Sequence, residues 1–542
     1  MKSFLFLLIT LILSLVSRPG QEQPNIILIV TDDQAYTASG CYGNKQIKTP
    51  NIDKLAEQGI RFNNHYCTTS ICMASRASIM TGLYEYRTGC NFMHGSLSAD
   101  KYALSYTELL QKEGYRTGFA GKFGFAVTPE PTSSSDYDSY DLLPVEEFDW
   151  WAGGPGQTFY ETSNNKYIAV YAEEFPHSSR AYGAAARDFI RESVSMGKPF
   201  CLSVSFKAPH RPFTPDPVFD TVYKDVLFDK PPNYGREKAR HLSAQGKLGR
   251  QYLNYFSSHK WDQENYQETM RKYFQLIYGA DYAVGMIREE LKRLGIENNT
   301  VIIFTSDNGY NCGSHGFGGK VLPYEEGSRA PLIIFDPRQR NSGKSLSSET
   351  LTGNIDIAPT ILEIAGAPVP PGIDGKSLVP VLNKPGEKIR KTLPVIQAWG
   401  TAPSMALAIV TEEWKYIYWY YGNKLDPAEE LFNLKDDPYE MVNLASDKQY
   451  ARVMKKMRIY YDEEVQQWKK QTVPYNDYPC FGILFDRHIN WDEKAKLLPQ
   501  KFIENYLNEL KNANITGNPY DYDNVLKQVE ENDETFVGAV LK

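Results

Sequence analysis

The chain has no surplus of positive charge. Its 59 Lys and Arg are outnumbered by 66 Asp and Glu, for a formal net charge of -7. That balance counts against a nucleic-acid binder, which would normally carry a basic stripe. A small anionic ligand stays open, because the field inside a cleft is set by a few local cations and not by the global sum. Beyond residue 16 there is no apolar run long enough to cross a bilayer, and there is no internal repeat or low-complexity tract. Cysteine is sparse, with seven residues (41, 67, 72, 90, 201, 312 and 480) in 542. In an exported chain such cysteines invite disulfides, but an odd number leaves at least one with another fate. What is present is an ordinary globular balance, 42% hydrophobic and 23% charged, on a chain long enough for a large core and a smaller second unit. Tyrosine is abundant, at 37 copies, and amphipathic rings suit carbohydrate clefts as well as ordinary cores.

Met1 to Val16 reads as a signal peptide: Lys2 supplies the positive start, Phe4 to Val16 is too short to span, and Ser14, Ser17 and Gly20 are small residues for cleavage. With no cysteine near that cleavage region, a lipid anchor is not expected. The mature protein is expected to be exported, periplasmic or secreted, with residues 1–20 removed.

Asn25 to Thr31 and Val301 to Ser306 are short, β-branched apolar runs of the kind buried on both faces of a sheet. They end in Asp32-Asp33 and Asp307-Asn308, so two strands deliver carboxylates at their C-terminal ends, where open α/β sheets bind ligands. Phe200 to Phe206 and Leu332 to Phe335 are further strands. Between them lie helical patterns: Asn51 to Gln58 closed by Gly59, Tyr106 to Glu113 closed by Gly114, and a long amphipathic stretch from Tyr273 to Leu294. This alternation predicts an α/β fold with a large mixed, mostly parallel sheet sandwiched by helices over residues 21–395. From about 396 to 471 the pattern changes to antiparallel strands (Ala406 to Val410, Trp414 to Tyr420) and a charged helix, a smaller α+β subdomain. Residues 472–542 form an extension of weak periodicity.

The most informative segment is Thr69 to Gly82. It sets Cys72 at the start of a helix with Arg76 one turn on, and both the positive helix end and the guanidinium would lower a thiol pKa. Taken by itself, a single cysteine is by default a buried structural residue. Cys72-Met73-Ala74-Ser75-Arg76, however, resembles the Cys-x-Pro/Ala-Ser-Arg signature of type I sulfatases, members of the alkaline phosphatase-like superfamily. Met80-Thr81-Gly82, Thr49 to Ala56 and Glu430 to Leu444 match the family's pattern in the family's order, so the resemblance runs from about Asn25 to at least Asn443. It implies a sulfuric ester hydrolase whose Cys72 is oxidised to formylglycine by a formylglycine-generating or an anaerobic sulfatase-maturating enzyme.

Asp32, Asp33, Asp307 and Asn308 are hard oxygen donors, which suits Ca²⁺ or Mg²⁺. Either pair by itself would read as a turn or a cap. On positions matching the family's, the four imply one calcium ion, completed by an oxygen of the modified Cys72. Lys122 in Gly121-Lys122-Phe123-Gly124, His210 in Ala208-Pro209-His210 and Lys320 in Gly319-Lys320 resemble the family's sulfate-binding lysine, its histidine and its second lysine. The chain departs from the family at Gly124, where a histidine is usual, and His94 and His315 are candidates for its proton relay. The resemblance implies a sulfated polysaccharide or its oligosaccharides as substrate, an algal polymer such as ulvan or carrageenan or a glycosaminoglycan. Phe148 to Pro155, His177 to Tyr182, Arg211 to Phe213 and Tyr310-Asn311 are candidate specificity segments. The alternatives are a phosphonate monoester or phosphodiester hydrolase of the same superfamily, a dinuclear phosphatase-type relative, disfavoured by a single Asp-Asp/Asp-Asn set, and a non-catalytic sulfoglycan-binding protein.

Overall fold

A computed structural model describes residues 23–133, 137–423, 425–507 and 522–531. The expected export segment at 1–20 and parts of the C-terminal extension lie outside the described residues. Strands β1 (Asn25–Thr31), β2 (Ile60–Phe62), β3 (Arg116–Lys122), β4 (Trp150–Gly154), β5 (Phe200–Ser205), β6 (Thr300–Ser306), β7 (Leu332–Phe335) and β8 (Leu346–Ser348) form one sheet in the order β8-β2-β7-β6-β1-β5-β3-β4. Only β7 runs against its neighbours. This is the mixed, mostly parallel sheet expected from the sequence.

Helices α1 (Pro50–Gln58), α2 (Cys72–Thr81), α3 (Tyr106–Lys112), α4 (Ser178–Ser195), α5 (Tyr266–Arg293) and α6 (Ile357–Ala365) cover both faces. The alternation of side chains along β1 divides its apolar run between them. Ile26, Leu28 and Val30 pack with Met73 of α2, Leu110 of α3 and Ile361 of α6, whereas Ile27 and Ile29 pack with Leu55 of α1, Ile190 of α4 and Leu276 of α5. Each such side chain contributes roughly 1.5–3 kcal/mol by leaving water, so a strand buried on both faces is strongly anchored. The acidic ends of β1 and β6 are thereby fixed side by side, with Thr31 paired to Ser306.

A second, antiparallel sheet follows in sequence order: β9 (Leu393–Gln397), β10 (Ala406–Val410), β11 (Trp414–Trp419) and β12 (Ala428–Asn433). β9 straddles the division expected at 395/396. Helix α7 (Ala451–Gln471) adds Met454, Met457, Tyr461, Val465 and Trp468, three or four residues apart, to this sheet's core. Beyond it, helices Tyr478–Leu484 and Tyr522–Glu531 bury Phe481 and Val525 in the same core. The Glu430–Leu444 segment clamps this unit to the first. Glu430 accepts the Ser243 N–H at 2.6 Å and the Tyr324 hydroxyl at 3.1 Å, and Glu440 accepts the Glu325 N–H at 2.7 Å. Lys415 of β11, wholly buried, sits 2.8 Å from Glu325 and 2.9 Å from Glu440.

Several expectations change. All seven cysteines are unpaired, so no disulfide framework exists among them; Cys90 and Cys201 simply fill the sheet–helix core. Gly59 does not close α1 in the left-handed conformation (φ -116°); a Cβ there would lie 2.3 Å from the Ile334 carbonyl oxygen, so close approach to β7 demands the glycine. Helix α5 starts at Tyr266, ahead of the Tyr273 read from periodicity. Trp150 and Trp151, read as specificity residues, belong to edge strand β4 and pack 5.2 Å from Phe189 and Phe119 respectively, so packing takes up both rings.

Candidate active site

Four parallel strands deliver the site at one edge of the sheet. Asp32 and Asp33 follow β1, Asp307 and Asn308 follow β6, Lys122 ends β3, and Lys207 to His210 follow β5. Helix α2 closes over them from one side with Cys72 as its first residue. The spacing of the cysteine motif then explains itself. Residues three and four apart share a helix face, so Ser75 and Arg76 point the same way as Cys72. The Ser75 hydroxyl donates to the Asp307 carbonyl. The Arg76 guanidinium donates to Asp307 at 2.8 Å, to the Lys122 carbonyl at 2.6 Å and to the Ser205 hydroxyl, tying α2 to three strands. The upstream Thr49–Ala56 motif is structural: Asp281 of α5 accepts the N–H groups of Asn51 (3.0 Å) and Ile52 (2.8 Å), holding the start of α1.

Around the Cys72 sulfur the charges alternate. Lys320 Nζ lies 2.7 Å from Sγ and is ion-paired with Asp33; Asp32 Oδ1 is 3.5 Å from Sγ; Lys122 Nζ is 2.5 Å from Asp32 and 2.6 Å from the Gln157 side-chain oxygen. His210 Nε2 stands 3.8 Å from Asp33, with Nδ1 2.6 Å from the Arg211 carbonyl oxygen, which fixes Nδ1 as the protonated nitrogen. Burial raises the Asp32 pKa, but Lys122, His210, Lys320 and Arg76 outweigh it and hold the carboxyl well below its usual range. Burial and repulsion from Asp32 push Asp307 up to about 6, against the pull of Arg76. Burial pushes His210 down to about 4, although Asp32 and Asp33 favour its charged form. Lys320 rises well above the usual lysine range, since Asp33, Cys72 and Asp32 overcome its burial.

The thiol itself contradicts expectation. Burial, then the Asp32 charge, pushes Cys72 up to about 11 in spite of Lys122 and Lys320, so the helix end and Arg76 do not make a reactive thiolate of it. His94 and His315 are not brought to the site. His94 Nε2 bonds to the Ala398 carbonyl at 2.7 Å and its ring packs on Tyr478 and Phe481. His315 is held by the carbonyls of Lys238 and Tyr439, both at 2.9 Å. Both sit where packing and backbone acceptors, absent from any sequence pattern, put them. Gly124 also has a local reason. Its φ is +88°, and a Cβ there would come within 2.5 Å of Arg76 Cδ, so the path of Arg76 leaves no room for the family's histidine.

The donor set fits a hard cation. Asp32, Asp33, Cys72 and His210 present atoms within 4.8 Å of one another. Asn308 gives its amide N–H to Asp33 at 2.7 Å, while its Oδ1 is buried with no hydrogen-bond partner, an oxygen suited to a Ca²⁺ ligand. Asp307 turns one oxygen to Arg76 and the other to the Asp33 N–H at 3.3 Å. Two residues went unread in the sequence. Gln157 bridges Lys122 and Lys207, and Lys207, three residues before His210, donates to the Gln157 carbonyl at 3.0 Å. Its only sequence signal was its place just past the end of β5. In front of Cys72 opens a cavity of about 420 Å³ lined by Tyr137, His210, Arg211, His259, Tyr310 and Trp399 among others.

An α/β sheet whose strand ends converge on buried carboxylates, cations and one helix-borne cysteine defines a hydrolase for anionic esters. Residues 24–367 match the sulfatase family model, and residues 313–471 match the model described as N-sulphoglucosamine sulphohydrolase, C-terminal. The chain belongs to the sulfatase family and is a sulfuric ester hydrolase. It is 29% identical over 526 residues to an N-acetylglucosamine-6-O-sulfatase of Bacteroides thetaiotaomicron, covering 85% of this chain and 90% of that one. It is likewise 29% identical over 450 residues to a choline-sulfatase of Rhizobium meliloti, 78% of this chain and 83% of the relative. Among solved structures, a protein in complex with its substrate D-glucosamine-2-N,6-O-disulfate superposes with a TM-score of 0.68 at 26% identity, over 84% of this chain and all of that one. The phosphonate monoester hydrolase of Agrobacterium radiobacter shares the fold, at a TM-score of 0.64 and 24% identity over 83% of this chain and 96% of that one.

Proposed function

We propose that the protein releases sulfate from sulfated saccharides of the glycosaminoglycan kind, using a formylglycine made from Cys72 and one calcium ion held by Asp32, Asp33, Asp307 and Asn308. The observation that carries this reading is the placement of Cys72 between Lys320 and Asp32 at the start of a helix pinned by Arg76. The saccharide class is supported by the relatives that act on sulfated glucosamine. Export through residues 1–20 and oxidation by a formylglycine-generating or an anaerobic sulfatase-maturating enzyme complete the proposal.

A bound calcium ion supplies charge neutralisation for the sulfuryl oxygens. A hydrated aldehyde supplies two hydroxyls on one carbon, one to displace the alcohol from sulfur and one whose ionisation lets sulfate leave. The chain's own residues do the rest. Lys320 beside the Cys72 sulfur and Lys122 beyond Asp32 bind the sulfuryl oxygens, preorganised by their carboxylate partners. Asp307 takes the proton of the attacking hydroxyl, and Arg76 fixes its orientation. His210 protonates the departing oxygen from Nε2, a step worth roughly 10²–10⁴-fold; the sulfate charge beside it favours the imidazolium it requires. Gly124 leaves no side chain at the relay position, and Lys320, with Nζ 2.7 Å from the Cys72 sulfur, is the residue that would stand against the modified side chain.

The test is sulfate release from defined sulfated saccharides, with aryl sulfate and aryl phosphodiester run in parallel, on protein whose Cys72 peptide has the mass of the aldehyde. Release from the saccharides that tracks the converted fraction supports the proposal. Conversion without sulfate release from any substrate, or faster phosphodiester cleavage, refutes it.

A further inference from the structure

Three cations at the reacting centre have carboxylates: Arg76 has Asp307, Lys122 has Asp32 and Lys320 has Asp33. The wall of the same cavity is different. Arg211 lines it next to His210, and its guanidinium has no carboxylate or hydrogen-bond acceptor among the described residues. His259 lines it too, stacked on Tyr255 at 4.1 Å, and its Nδ1 is buried with no hydrogen-bond partner. Burial, with the nearby charges of Arg211 and His210, keeps that imidazole neutral, pushed down to about 3. Trp399 presents a half-buried ring to the cavity, and the Arg250 guanidinium stacks on it at 4.5 Å, with a buried Nε that likewise lacks a partner. Buried donors and arginines are ordinarily paired. Here half-buried Arg211 and His259 both line one cavity, and Arg250 stands behind its Trp399.

We propose that this wall is a second anion subsite, in which Arg211 and His259 hold a further negative group of the substrate saccharide while Trp399, backed by Arg250, packs against its ring. The proposal rests on the reading of the site as a saccharide sulfatase and narrows it to doubly anionic substrates. The second group is a sulfate on the same sugar or a carboxylate on its neighbour; both offer a pair of oxygens to the planar fork of a guanidinium. No carboxylate is stranded when Arg211 is removed, so its loss should leave the fold intact.

The test is calorimetric binding to calcium-loaded Cys72→Ala protein, which binds without turnover. The probes are glucosamine 6-sulfate, glucosamine-2-N,6-O-disulfate and a 6-sulfated glucosamine joined to a uronic acid. A charge-assisted pair of this kind corresponds to roughly a 10- to 100-fold gain. At least one doubly anionic probe should bind tighter than the monosulfate by that factor; Arg211→Met should erase the difference, Arg211→Lys should keep part of it, and Arg250→Met should reduce it. The tighter of the two doubly anionic probes identifies the second group as sulfate or carboxylate. Equal affinity for all three probes, no binding of any of them, or a preference that survives Arg211→Met overturns the subsite. Failure of the underlying reading looks different: converted wild-type protein would then release no sulfate from any probe, whatever their order of affinity.

Discussion

Two clusters of buried charge share one stretch of chain, with Lys320 in the first and Glu325 in the second, and they are built on opposite plans. At the clamp between the sheets, Lys415 lies between Glu325 and Glu440, with Arg329 3.2 Å from Glu325, so two cations meet two anions. Lys415, Glu325 and Glu440 expose at most 1% of their side chains. Burial pushes the Glu440 carboxyl up, to about 8, against the pull of Lys415, which shows how much of the ion-pair attraction desolvation consumes. At the strand ends, three carboxylates also meet three cations, but there a cavity opens beside the charges, lined by Asp33, Cys72, His210 and Lys320. The clamp's charges face only one another and fix how two units meet. The strand-end charges also face open space that a ligand can enter. Buried charge by itself therefore does not mark a functional site; buried charge facing a cavity does.

The sharpest way to break this contrast is to delete the reacting atom. Cys72→Ala should lower sulfate release by about 10⁴-fold or more, while the denaturant midpoint reports a cost of at most about 1–2 kcal/mol for so small a truncation. A large stability loss with residual turnover would place Cys72 in the structural class after all. The complementary change is Lys415→Met. Removing one partner of a buried pair should cost about 3–5 kcal/mol in unfolding free energy, with kcat per folded molecule nearly preserved. If turnover fell while stability held, the clamp would belong to the chemistry.

A smaller effect separates both clusters from the neutral core. Burial, with Arg390 nearby, depresses the pKa of His65 to about 3. Its folded pKa lies below the unfolded value of about 6.5, so its contribution is fully present above pH 6.5 and is lost as pH falls from there toward 3. At pH 5 this amounts to about 2 kcal/mol. Denaturant titrations at pH 7.5 and 5 should show that loss in the native protein and a flatter profile in His65→Gln; equal slopes would assign acid sensitivity to the charged clusters instead.

Much of the fold was legible because its strands are buried on both faces. Runs such as Asn25–Thr31 leave little choice of structure, and their acidic ends point to the site at once. Strand β3 was read only as a motif, since the glycines at 118 and 121 dilute its apolar pattern; a Cβ at Gly121 would lie 1.9 Å from the Ser205 carbonyl oxygen. The candidate residues that follow strand ends or a helix start (Asp32, Cys72, Asp307) were legible from position, and Lys122 only through its motif. His94 and His315 were misread because a histidine carries no mark of which carbonyl will hold it. Lys207 and Gln157 were missed for the converse reason: a tertiary hydrogen bond, and no local pattern, brings them together.

The burial of helix α2 has a consequence for the chain's history. All ten of its residues, Cys72 included, are buried. Once that helix has closed on the sheet, no other enzyme can reach the sulfur, so on the proposed reading oxidation has to finish before folding does. The two processes race. A molecule that folds first keeps its thiol, and with a pKa near 11 that thiol has no reactivity with which to recover. Specific activity in any preparation then records the fraction of chains that were modified in time, and conditions that slow folding during synthesis should raise it without altering a single contact in the finished structure.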